Sequence, residues 1–194
     1  MNSSLVAYVD ESSVRVDDAR QEYVMCAVVV DESAVESMEN SLERLKLPGQ
    51  HKLHWSSEST ARRRKIVEHM TPLNAEIFVV SHRSEPNRKT ERFRRKCLEQ
   101  LYYELYVRGV RKIFLESRHK EQNRRDVEHL VALQGQGQLR GVRISHLQGS
   151  ESAMVWIPDV VLGAYNSARQ GDTRLWDPFE VAVVVARETP DSVR

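Results

Sequence analysis

Only two cysteines occur among the 194 residues, Cys26 and Cys97. The first falls in an apolar, strand-like run and the second in a helical pattern, so a disulfide framework is not expected. No apolar run approaches the length of a membrane span. The longest, Val24–Val30 and Val181–Ala186, are strand-sized. Met1-Asn2-Ser3-Ser4 lacks the basic and then apolar pattern of a leader. The expected compartment is therefore the cytoplasm, with no membrane partner. A P-loop, a dinucleotide-binding glycine fingerprint and zinc-ligand spacing are also missing. No nucleophile elbow supports serine hydrolysis. No internal repeat is visible.

What is present is ordinary globular composition, 40% hydrophobic and 29% charged. The length suits one domain over residues 1–194 with a core of its own. Net charge is +1 but unevenly spread. Residues 1–60 carry 11 acids and 5 bases, whereas residues 83–125 carry 14 bases and 6 acids. Such asymmetry suits an acidic cation-binding site beside a basic face for a polyanion. It equally suits long helices that expose their arginines to water.

Leu5–Val9 reads as a buried strand that ends at Asp10-Glu11-Ser12-Ser13, and Tyr23–Val30 as a second, valine-rich strand. The short link between them predicts an antiparallel hairpin. Asp31-Glu32-Ser33 opens a helix with the stripe Val35, Met38, Leu42 and Leu45, which Pro48-Gly49 stops. His51–Trp55 reads as extended, and Ser56 or Ser57 as the cap of a helix to Met70. Ala75–Ser81 is a third strand. A long helix over about Lys89–Val107 carries the core stripe Phe93, Cys97, Leu101 and Leu105, with its arginines on the surface. Lys112–Leu115 and Val142–Leu147 are strands, Asn123–Leu133 and Pro158–Ala168 helices, and Phe179–Ala186 a last strand. Strands that alternate with helices after an initial hairpin predict an α/β fold with a mixed sheet.

Three carboxylates fall at element ends: Asp10, Glu116 and Asp159. If the first and fourth strands are parallel neighbours, Asp10 and Glu116 emerge at one edge, where open α/β sheets place their sites. A helix across that edge adds Asp159. Three such acids cannot all stay ionised without a cation, and their hard oxygens suit Mg²⁺ or Mn²⁺. Each acid also has an ordinary explanation: a turn for Asp10, an exposed strand end for Glu116, a helix-dipole partner for Asp159. His54, beside Trp55, is either a structural hydrogen-bonding residue or a proton shuttle. The segment from Glu116 to Asp126 carries Arg118, Lys120, Arg124 and Arg125, which would grip phosphates or simply form a solvated face. Glu11, Glu58 and Asp126 are further acid candidates.

Val9-Asp10-Glu11-Ser12, followed by a valine-rich strand, resembles the opening of the family called domain of unknown function 3800. The central Phe114-Leu115-Glu116-Ser117-Arg118 and the late Trp156-Ile157-Pro158-Asp159-Val160-Val161-Leu162-Gly163-Ala164 resemble its other hallmarks. His51-Lys52-Leu53-His54-Trp55 resembles the Lys/His segment between them. Together these span about Leu5 to Arg169. The resemblance implies a ribonuclease H-like mixed sheet flanked by helices. It implies a metal-dependent nuclease-like phosphodiesterase acting on RNA or DNA, with Asp10, Glu116 and Asp159 as ligands of Mg²⁺ or Mn²⁺. The alternative is a catalytically silent module of the same fold that binds nucleic acid or a protein.

Overall fold

In a computed structural model, which describes residues 4–86, 90–190 and 192, two long strands form the predicted hairpin. Strand β1 (Leu5–Arg15) pairs antiparallel with β2 (Gln21–Asp31), from Leu5 opposite Asp31 to Arg15 opposite Gln21. Strand β2 is buried from Glu22 to Val30 and rich in β-branched residues, as befits the middle of a sheet covered on both sides. β3 (Glu76–Ser84) lies antiparallel to β2, and β4 (Lys112–Glu116) lies parallel to β1. The edges are β5 (Arg143–Leu147), parallel to β4, and β6 (Val183–Glu188), parallel to β3. The order across the six strands is β5-β4-β1-β2-β3-β6.

Alternation along the strands divides the core in two. Val6, Tyr8, Val24, Cys26 and Val28 face α1 (Val35–Glu43), α2 (Thr60–Met70) and α5 (Trp156–Arg169). Ala7, Val9, Met25, Ala27 and Val29 face α3 (Thr90–Val107) and α4 (Lys120–Gly135). A short α6 (Asp177–Glu180) precedes β6. No described helix is long and apolar enough to cross a membrane.

Several boundaries differ from the sequence expectation. β1 does not end at Asp10, because its ladder with β2 continues to Arg15. The ladder with β4 stops at Val9 opposite Leu115, so Asp10 sits where one neighbour ends and the other goes on. The cap of α2 is Ser59, whose Oγ accepts from Arg62 N at 3.3 Å, and Trp55–Ser57 is a single 3-10 turn. Helix α4 starts before Asn123, with His119 N donating to Gln122 Oε1 at 3.3 Å. The last strand starts at Val183, because Pro178 favours a helical first turn at Asp177–Glu180.

Candidate functional site

Asp10 points to the α5 side of the sheet, since it continues the alternation Val6, Tyr8. On β4, Phe114 packs against that same core, so Glu116, two residues on, faces the same way. Asp159 lies in the first turn of α5, which packs on that face. The three acids named from the sequence therefore converge. Asp10 and Glu116 lie close enough for their charges to oppose one another. Burial raises the Asp10 carboxyl well above its ordinary value, and the charges of Glu116 and then Asp159 push it the same way. The Glu11 N–H, donating to Asp10 Oδ1 at 2.7 Å, opposes them.

Asp159 is held by the loop before α2. Trp55 N donates to its Oδ2 at 2.9 Å, and His54 Nδ1 hydrogen-bonds the same oxygen at 3.0 Å. Lys52 Nζ, from the same loop, donates to Glu116 Oε1 at 3.3 Å. Two glycines make these approaches possible. A Cβ on Gly163 would lie 2.1 Å from the Trp55 ring, and one on Gly149 would lie 2.8 Å from Lys52 Cδ. Among the described residues, no three His, Cys, Asp or Glu side chains are placed so that together they could hold a metal ion. Glu116 and Asp159 are instead bonded to the loop before α2, and Asp10 to the Glu11 N–H.

The remaining candidates lie elsewhere. Glu11 and Asp126 belong to the opposite face, around Arg94. Arg94 is only 1% exposed. Its Nη2 meets Glu11 Oε2 at 2.9 Å and its Nη1 meets Asp126 Oδ1 at 3.0 Å. His146 Nε2 reaches Asp126 Oδ2 at 3.0 Å, and Arg118 joins Glu91 at 2.6 Å and Asp126 at 3.3 Å. Burial raises the Glu11 carboxyl, against the pull of Arg94 and Arg118. Glu58 is buried, accepts from Gln50 Nε2 at 2.9 Å and pairs with Arg62 at 3.5 Å. Arg124 pairs with Glu121 and Glu128, and Arg125 with Glu121. Lys120, at the start of α4, is exposed.

Sequence reasoning missed three things. Arg94 is core rather than surface: it falls on the stripe Arg94, Leu98, Leu101, Leu105, a spacing the sequence does show. Lys52 was visible only within the Lys/His segment. The role of Gly163 left no sequence signal, because a glycine inside a helix does not say what ring it admits.

No protein-family model and no curated protein matches the chain. Among solved structures it is similar to ribonuclease HII of Archaeoglobus fulgidus, solved in complex with PCNA. That match has 16% identity over 90% of this chain and 78% of that chain, with a TM-score of 0.51.

The fold is ribonuclease H-like.

Ribonuclease H2 of Pyrococcus horikoshii OT3 is also similar, at 15% identity over 88% of this chain and 78% of that one, with a TM-score of 0.48. So is Bst-RNase HIII in complex with Mn²⁺, at 11% identity over 87% of this chain and 56% of that one, with a TM-score of 0.41. At these identities the ribonuclease H-like likeness concerns the path of the chain alone. The resemblance to domain of unknown function 3800 gains no family-model match.

Proposed function

We propose that this chain is a metal-dependent phosphodiesterase of the nuclease type, acting on RNA or DNA as one ribonuclease H-like unit. The observation that carries the reading is the convergence of Asp10, Glu116 and Asp159 from three separate elements onto one side of the sheet edge. Nothing in packing requires three acids to meet there, and the cost shows in the raised Asp10 carboxyl. The donor set is entirely carboxylate oxygen, which suits Mg²⁺ or Mn²⁺. The charges of Glu116 and Asp159, which add to burial in raising the Asp10 carboxyl, are what a bound cation would offset.

When bound, a divalent cation would supply the Lewis acidity that favours attack of water on a phosphodiester and stabilises charge at phosphorus. The protein's part is positioning. Asp10, Glu116 and Asp159 would hold the cation. Trp55 N and His54 Nδ1 both hold Oδ2 of Asp159, and His54, 51% exposed at its side chain, is open to exchange a proton with solvent or substrate. Lys120 would contact the phosphate backbone at the start of α4. Arg118, Arg124 and Arg125 are paired with Glu91 and Glu121, so each would have to exchange a carboxylate for a phosphate to grip the backbone.

The test is thermal unfolding of wild type and Asp10→Asn with increasing Mg²⁺ or Mn²⁺, followed by a cleavage screen on single- and double-stranded RNA and DNA. A cation at about 100 times its Kd stabilises the native state by about 2.7 kcal/mol. The expected result is a metal-dependent rise in midpoint for wild type alone, and cleavage that Asp10→Asn abolishes. Cleavage retained by pure Asp10→Asn protein would overturn the assignment. Metal-independent nucleic-acid binding without cleavage would move the reading to a silent module.

A further inference from the structure

A pair of divalent cations would bring four positive charges to this edge, and three carboxylates offset only three. The further acid candidates Glu11, Asp126 and Glu58 are committed elsewhere. Glu11 and Asp126 lie on Arg94 across the sheet, and Glu58 is bound by Gln50 and Arg62. What the loop before α2 brings to the acids is instead a cation, Lys52, with its Nζ 3.3 Å from Glu116 Oε1.

The path of that lysine is built into the fold. Its neighbour Leu53 is buried in the core and anchors the loop. Its aliphatic stem crosses Gly149, where a Cβ would stand 2.8 Å from Lys52 Cδ. The Gly149 carbonyl is fixed in turn, accepting from the buried Trp156 Nε1 at 2.7 Å. Trp156 opens α5, three residues before Asp159. Lysine, its floor and one of the acids are thus tied to a single helix.

We propose that Lys52 supplies the second positive charge of the site, so that the chain binds one divalent cation and presents the lysine ammonium to the phosphate where a second cation would otherwise act. This rests on the metal-dependent reading above. Three carboxylates are then matched by one divalent cation and one ammonium. Lysine suits the role as a compact point charge on a flexible stem.

The test is to count bound Mn²⁺ by the electron paramagnetic resonance of the free ion, with wild type, Lys52→Met, Lys52→Arg and Asp10→Asn. The expected result is one Mn²⁺ per wild-type chain and none for Asp10→Asn. Lys52→Met, relieved of a competing positive charge, binds Mn²⁺ about tenfold more tightly, and Lys52→Arg stays near wild type. Two ions per wild-type chain would overturn the proposal, and so would an affinity of Lys52→Met equal to wild type; both outcomes leave the metal site itself standing. Absence of Mn²⁺ binding to wild type would remove the metal reading and this inference together. Unfolding of Lys52→Met and Lys52→Arg alike would make the lysine structural and overturn its role.

Discussion

Gly163 and Trp55 interlock: a methyl group on Gly163 would stand 2.1 Å from Cδ1 of the indole. The same tryptophan's backbone N–H holds Asp159, one helical turn earlier on α5. The absence of a side chain at 163 therefore sets the position of an acid it does not touch.

Gly163→Ala is accordingly expected to destabilise by about 1–3 kcal/mol through overpacking, although alanine favours helix by about 1 kcal/mol over glycine. Urea unfolding measures the loss. Mn²⁺ affinity should fall with it, since displacement of Trp55 releases Asp159. An unchanged or raised midpoint would show that the ring moves freely and that the interlock does not matter.

The raised Asp10 carboxyl has a pH signature. An acid whose folded pKa lies above its unfolded value binds more protons in the native state, so stability falls as pH rises from the ordinary aspartate range through the folded value. In the absence of divalent cation, wild type is expected to lose stability across that window and Asp10→Asn to lose less. The asparagine variant should then be the more stable protein at neutral pH, and the two should approach each other in acid. Melting curves at a series of pH values in chelator decide this. A wild type more stable than Asp10→Asn at neutral pH would contradict it.

Arg94 has a different dependence. Its guanidinium is buried between Glu11 and Asp126, and removing one partner of a buried pair leaves charge uncompensated. Arg94→Met is expected to cost about 3–5 kcal/mol in chemical denaturation. Adding Glu11→Gln to Arg94→Met should recover part of that loss. Additive losses in the double variant would mean that the pair is not coupled.

Much of this was legible in the chain. The hairpin, the alternation of strands and helices, and the three acids follow from apolar periodicity and from polar residues at element ends. Asp10, Glu116 and Asp159 were recognisable because chemistry there breaks a hydrophobic pattern. Their meeting follows from the sequence only on the condition that β4 pairs parallel beside β1, which apolar periodicity does not decide and the observed ladder supplies. Glu11 and Asp126 read as spare site acids, yet alternation turns Glu11 to the other face, where a buried arginine waits. Arg94 was misplaced because a charged residue on a core stripe looks like an interruption until its partners are known. The last strand starts later than apolar Phe179 suggests, because Pro178 commits the chain to a helical turn first.

Asp10 and Glu11 are consecutive, yet one serves the sheet edge and the other the arginine beneath it. Only the parity of β1 keeps them apart. Deleting one residue between Leu5 and Asp10 would put the glutamate in the place of Asp10 and the aspartate in that of Val9, leaving Arg94 without its Glu11 partner. Point substitutions at either position disable one function at a time, whereas a shift of reading by a single residue would disable both together. The beginning of this chain is therefore far less tolerant of changes in length than of changes in composition.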